Sequence, residues 1–123
     1  DRLTSRGRCL MNGFSPGSFV ILNLVNPREK FWGALISLGA VGVTLRGINL
    51  DSFEDWVRQV ARQEEEPTLD LVSMFVPLFR VERIFLDEPV GTLQSYSKYF
   101  KDLVGASPEE YLGVRDIEEE DSV

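Results

Sequence analysis

The chain has 123 residues, 43% of them hydrophobic, with a formal charge of -7 and no histidine. This length suits one domain with a core of its own, and the negative field excludes phosphate binding except at a local basic patch. Cys9 is the single cysteine, which excludes an intrachain disulfide, a cysteine-held zinc and a CxxC redox pair.

The acid is concentrated at the end. "RDIEEEDSV" carries five carboxylates and one Arg, so its -4 leaves -3 on residues 1–114. No apolar run reaches the ~20 residues of a membrane span, and "DRLTSRGRCLMNGF" is basic without the apolar centre of a secretion signal; a cytoplasmic location is the expectation. The chain opens on Asp1, and Met11 is the expected natural start, with Asp1 to Leu10 upstream of it. Residues 1–17 read as a flexible N-terminal segment, 18–113 as a single domain and 114–123 as an acidic disordered tail.

After the turn-forming "NGFSPGS", "FVILNLV" (Phe19 to Val25) is apolar on both faces, as a strand buried on both sides or lying in an interface is. "NPRE" supplies a turn, since Pro27 presets φ and Asn26 can bond its neighbouring backbone. Lys30 to Leu38 is a second strand, and Gly33 near its middle marks a bend or close backbone approach. "GAVG" leads into a third strand, Val43 to Leu50, which completes a meander.

The period then changes. Phe53, Trp56, Val57, Val60 and Ala61 follow the spacing of one apolar helix face, capped by Asp51 or Ser52. From Leu69 to Leu86 strand character returns, interrupted at Pro77, which cannot donate to a ladder, giving a fourth and a fifth strand. A second helix is predicted over Thr92 to Val104 and stopped by Gly105. Ser107-Pro108-Glu109-Glu110 has the cap, first-turn Pro and acidic residues of a short last helix. The fold class is therefore α+β, mainly β, with a strongly bent five-stranded sheet of the small-barrel, SH3-like kind and helices after the third and fifth strands.

"VILNLVN" (Val20 to Asn26), Gly33 with Leu35, "GVTLRGI" (Gly42 to Ile48) and "RVERIFL" resemble the strands of the Sm-like family, the Hfq branch in particular, over about half the chain. The resemblance implies a ring of subunits joined by edge strands and single-stranded RNA held near the loops. The loops depart from the family: "SLGAVGV" has no polar side chain between Ser37 and Thr44, and the Lys-His pair of the Hfq branch has no counterpart. Separately, "SYSKYFKDLVGASPEEY" (Ser95 to Tyr111) is similar to the closing signature of AraC-type regulators, whose DNA-binding domain is all-helical. A Gly stop followed by a Ser cap and a first-turn Pro accounts for the same residues.

Asp51, Asp55, Asp87 and Glu88 are the candidate general acids or bases, although helix capping and strand-end solvation are the commoner roles of such carboxylates. Glu64, Glu65 and Glu66 have hard-cation chemistry and also that of a solvated helix end. No enzyme, cofactor or metal function is expected. For RNA, Arg28, Lys30, Phe31 and Trp32 interleave cations with rings, Arg46 extends the patch, and alternation sends Phe31 and Trp32 to opposite faces. Arg80 and Arg83 are further candidates for that patch, although Arg on a strand more often pairs with a neighbour such as Glu82 or Glu29. For protein partners, Phe19, Ile21, Phe53 and Trp56 are the candidate interface residues, unless Phe53 and Trp56 cover the sheet. The leading expectation is a non-catalytic assembly or adaptor module that forms a homo-oligomer or binds a protein through edge strands. Single-stranded RNA binding is the alternative, DNA regulation a second one, and no membrane role is expected.

Overall fold

The apolar run at Phe19 to Leu24 is shared between two cores. Val20, Leu22 and Leu24 point to one side of the sheet and are buried there, while Phe19 and Ile21 pack on the other. The structure is a computed structural model that describes residues 14–65 and 68–112. Among these, five antiparallel strands and three helices form an α+β fold. The strands are β1 (Phe19–Leu24), β2 (Glu29–Leu38), β3 (Gly42–Asn49), β4 (Val72–Pro77) and β5 (Val81–Leu86), in the order β4-β3-β2-β1-β5. A three-residue 3-10 turn, Leu78–Arg80, joins β4 to β5. The sheet is not closed: β4 and β5 stand at its two ends, each with one unpaired edge among the described residues.

All five strands supply one core. Val20, Leu22, Leu24, Leu35, Val43, Leu45 and Val76 are buried in it, with Ile84 and Leu86 of β5 packed alongside. The other core lies between the sheet and the helices and is built on Trp32, Ala34 and Ile48 from the sheet with Phe53, Trp56, Val57 and Phe100 from the helices. Burial on both faces explains why β1 has no polar alternation.

Gly33 provides the close approach expected of it. It is registered with Gly47 across β2 and β3, and a Cβ on Gly33 would lie 2.5 Å from the Gly47 Cα and 2.8 Å from the Arg46 carbonyl carbon. A second irregularity follows at once, where the register shifts between Leu35 and Ser37. Glycine contact and bulge together bend the longest strand.

Helix α1 (Leu50–Arg62) begins one turn earlier than its apolar period suggests. Its cap is Asn49, whose side chain accepts from the Asp51 N–H at 2.8 Å, so Asp51 is a first-turn anion and not the cap. Helix α2 is shorter than expected, running Tyr96–Val104 with Ser95 as its cap. Thr92 and Leu93, expected at its start, belong instead to a tight hairpin in which Val90 and Leu93 exchange both backbone bonds at 2.9 Å around Gly91 (φ +60°). Gly105 (φ 87°) ends α2, and the Ser107 hydroxyl accepts from the Glu109 N–H ahead of α3 (Glu109–Leu112).

Residues 14–17, expected to be flexible, belong to the fold. Gly17 N–H donates to the Leu35 carbonyl at 2.7 Å, Leu35 N–H donates to Ser18 at 2.8 Å, and Phe14 packs on the all-strand core. The expectations for residues 1–13, which include Cys9 and Met11, for Glu66 and for the tail at 114–123 fall outside the described residues. No helix among the described residues is long and apolar enough to cross a membrane.

Candidate functional site

Two apolar surfaces flank the ends of the sheet. The first begins with a hydrogen bond: Leu78 N–H donates to the Val41 carbonyl at 2.9 Å, so the 3-10 turn is fastened to the β2–β3 hairpin. Gly42 has no side chain, and the Phe75 ring lies over it. Leu38, Val41, Phe75, Leu78 and Phe79 thereby share one uncharged tip. Phe79 is 83% exposed and Val41 76%. Phe79 is the middle residue of that 3-10 turn, none of whose residues is buried.

The second surface is a cleft of about 520 Å³ on the helix side of β1 and β5. Phe53 and Tyr99 from the helices, Phe85 from β5 and Ile21 from β1 line it, and the exposed Val90 and Leu93 of the tight hairpin form its lip. Asn23, Lys30, Glu54 and Glu88 supply polar groups around this apolar floor.

Asp87 holds the cleft together. Its Oδ2 accepts from the Trp32 indole N–H at 2.9 Å, from Ser97 N–H at 2.8 Å and from the Ser97 hydroxyl at 2.6 Å, while Oδ1 accepts from Tyr96 N–H at 2.8 Å. A carboxylate at the positive start of α2 is favoured by the helix dipole, and here it also satisfies a buried indole. With its lone pairs so engaged, Asp87 is a tie between β5, the core and α2. Among the other candidate acids and bases, Asp55 pairs with Arg58 at 3.0 Å on the exposed face of α1, and Asp51 and Glu88 are exposed. Glu64 pairs with Arg62 at 3.7 Å, and among the described residues no cluster of three or more metal-ligating side chains exists.

The five candidate RNA contacts are not gathered into one platform. Trp32 is fully buried, stacked on Phe19 with ring centroids 5.3 Å apart, and is unavailable to a base. Phe31 faces the opposite side, as alternation requires, and packs half-buried on the all-strand core. Arg28 is exposed in the β1–β2 turn and Lys30 lies at the cleft. Arg46 sits opposite Ala34, four residues from Lys30 along β2 or about 13 Å, and donates to the Ser73 hydroxyl at 3.2 Å. Arg80 grips the β1–β2 turn through the Val25 and Pro27 carbonyls and Glu29.

Two of the four expected interface residues are corrected. Phe53 and Trp56 are buried at 2% exposure, because α1 lays its apolar face on Trp32 and Trp56 stacks on Phe100 of α2. Phe19 is held against Trp32, and Ile21 lines the cleft. The segment similar to the AraC-type signature packs Phe100 into the helix-side core, pairs Lys98 with Asp102 at 3.0 Å and leaves Lys101 exposed. Sequence reading missed Phe75, Phe79, Phe85, Val90 and Leu93; the uncharged "VPLF" beside a strand end was the available signal.

No family model, curated protein or solved structure matches this chain.

Proposed function

We propose that this chain is a non-catalytic assembly module of Sm-like architecture that self-associates through the unpaired edges of β4 and β5. The observation that carries this reading is an exposed phenylalanine on each free edge, Phe75 on β4 and Phe85 on β5, at positions registered with Thr44 and Ile21 on the helix side of the sheet. An unpaired strand edge offers a row of backbone donors and acceptors to another chain, and exposed apolar groups beside it supply the burial that pairing alone lacks. A contact between β4 of one copy and β5 of the next is heterologous and builds rings or open chains according to its rotation.

This reading is favoured over RNA binding because the cations that RNA would need are dispersed and both candidate stacking rings are packed. It is favoured over catalysis because the best-placed carboxylate, Asp87, is occupied as a structural tie. Sedimentation velocity from low to several hundred micromolar tests it. Growth beyond a monomer with concentration, reduced by Phe75→Lys, is expected; a monomer across the whole range overturns the reading.

A further inference from the structure

The backbone of the two free edges shows which of them can meet. Asp87 N–H donates to the Phe19 carbonyl at 2.9 Å. Bonded pairs recur at every second residue of an antiparallel ladder, so the β1–β5 register carries this one on to Ile21 with Phe85 and Asn23 with Arg83. Arg83, Phe85 and Asp87 therefore direct their N–H and C=O groups at β1. Ile84 and Leu86 direct theirs out of the sheet, where no described residue bonds them. On β4 the bond from Leu78 N–H to the Val41 carbonyl sets the alternation: Met74 and Val76 bond inward, and Ser73 and Phe75 face out. Pro77, next in line, has no N–H to offer.

We infer that β5 pairs antiparallel with β5 of a second copy, across a two-fold axis at Phe85, with Ile84 of each copy opposite Leu86 of the other. This inference rests on self-association as proposed above and names the edge that makes the first contact.

The faces of the strands carry it. Residues directly opposite each other in an antiparallel pair share a face. Ile84 and Leu86, whose backbone groups point outward on β5, carry their side chains on the all-strand core side. Ser73 and Phe75, which point outward on β4, alternate with Met74 and Val76 of that core and so carry theirs on the helix side. Antiparallel pairing of β4 with β5 would set the helix side of one copy level with the core side of the next. A parallel pair would keep the faces in step, but it is less stable per residue, and the proline blunts the β4 edge. Pairing β5 with itself keeps both faces continuous and leaves β4 at the two ends of the joined sheet for further growth.

The side chains fix the register. With Ile84 opposite Leu86, every outward N–H and C=O of these residues finds a partner, and apolar groups meet on the core side. Phe85, 47% exposed in the single chain, stands opposite its own copy, where rings stack favourably. Arg83 comes opposite Asp87 of the second copy. A register centred on Arg83 would set two guanidinium groups together, and one centred on Ile84 would oppose Leu86 to Glu82. The like-charged approach that remains, Glu82 to Glu88 of the second copy, falls beyond the strand end and has Arg83 beside it, 3.6 Å from Glu82.

Cysteine trapping and mixing test the contact. In a Cys9→Ser background, Phe85→Cys puts two thiols on the axis, at the Cα separation of about 4.5 Å that a disulfide can span. Arg83→Cys puts them about 13 Å apart along the strands, out of reach. Mild oxidation is expected to shift Phe85→Cys from monomer to covalent dimer and to leave Arg83→Cys unlinked; the reverse, or equal linking, overturns the register. In sedimentation, Phe75→Lys is expected to stop at the dimer, and its equimolar mixture with Phe85→Lys to form no mixed dimer by native mass spectrometry of one isotope-labelled partner. A mixed dimer, with both variants keeping the parent circular dichroism, overturns the like-edge contact and leaves self-association standing. A parent chain that never associates overturns both.

Discussion

The indole N–H of Trp32 reaches the carboxylate of Asp87 across 2.9 Å, although the two residues are 55 positions apart. This bond joins the centre of β2 to the end of β5, and the same carboxylate receives the first turn of α2. Replacing Asp87 with Ala leaves a buried indole donor unpaired and removes the anion from the helix start. A loss of about 2–4 kcal/mol is expected, and Asp87→Asn, which keeps one acceptor oxygen, is expected to lose less. Urea unfolding followed by tryptophan fluorescence measures both; equal losses in the two variants would remove the carboxylate's special role.

The Gly33–Gly47 pair makes a sharper comparison. Ala at Gly33 must push against the backbone of β3, which cannot yield as a side chain can, so about 2–3 kcal/mol is expected to be lost. Gly39 has nothing within 4 Å of a built Cβ, and Gly39→Ala is expected to change stability by no more than about 0.5 kcal/mol. Thermal unfolding of the two single variants checks the contrast.

Trp56 lies between Trp32, at 5.9 Å between ring centroids, and Phe100, at 5.0 Å. It is an α1 side chain that meets both the sheet and α2. Trp56→Ala is expected to lose about 3–5 kcal/mol, with the near-ultraviolet circular dichroism of the aromatic cluster collapsing. Retention of that spectrum with a small loss would show that the helices dock independently of this ring.

Arg28 and Arg80 lie at the same turn with different fates. Arg80 is bound to two carbonyls and Glu29, so Arg80→Ala is expected to lose about 1–2 kcal/mol, the value reduced by partial solvation. Arg28 is exposed, and Arg28→Ala is expected to stay within about 0.5 kcal/mol of the parent. Chemical denaturation of each distinguishes the structural cation from the solvated one.

The order of elements was readable from the chain because it rests on local periods: two apolar faces in Phe19 to Val25, a helical stripe from Phe53, Gly105 as a stop. What was not readable depends on which element covers which. Phe53 and Trp56 have the composition of an interface, and only the packing of α1 on Trp32 turns them into core. Thr92 and Leu93 fit the start of a helix by composition, yet Gly91 gives the chain a tighter alternative and Ser95 supplies a better cap nearby. The candidate site was missed for the converse reason. Phe75 alternates properly for a buried strand face, but β4 is a terminal strand and Phe75 is half exposed on it, a fact of topology invisible to a period of two.

The short Leu78–Arg80 connection has a geometric consequence. Pro77 is registered with Gly42, beside the Leu38 end of β2, whereas Val81 is registered with Leu24, beside the Glu29 end. On a planar sheet those two points would be about 30 Å apart along the strands and about 19 Å apart across them. Four residue steps reach at most about 14 Å. Planarity is therefore forbidden by the length of a linker, and the glycine pair and the bulge in β2 permit a curvature that the connection compels. Lengthening that linker would relax the whole sheet without altering a single residue of its cores.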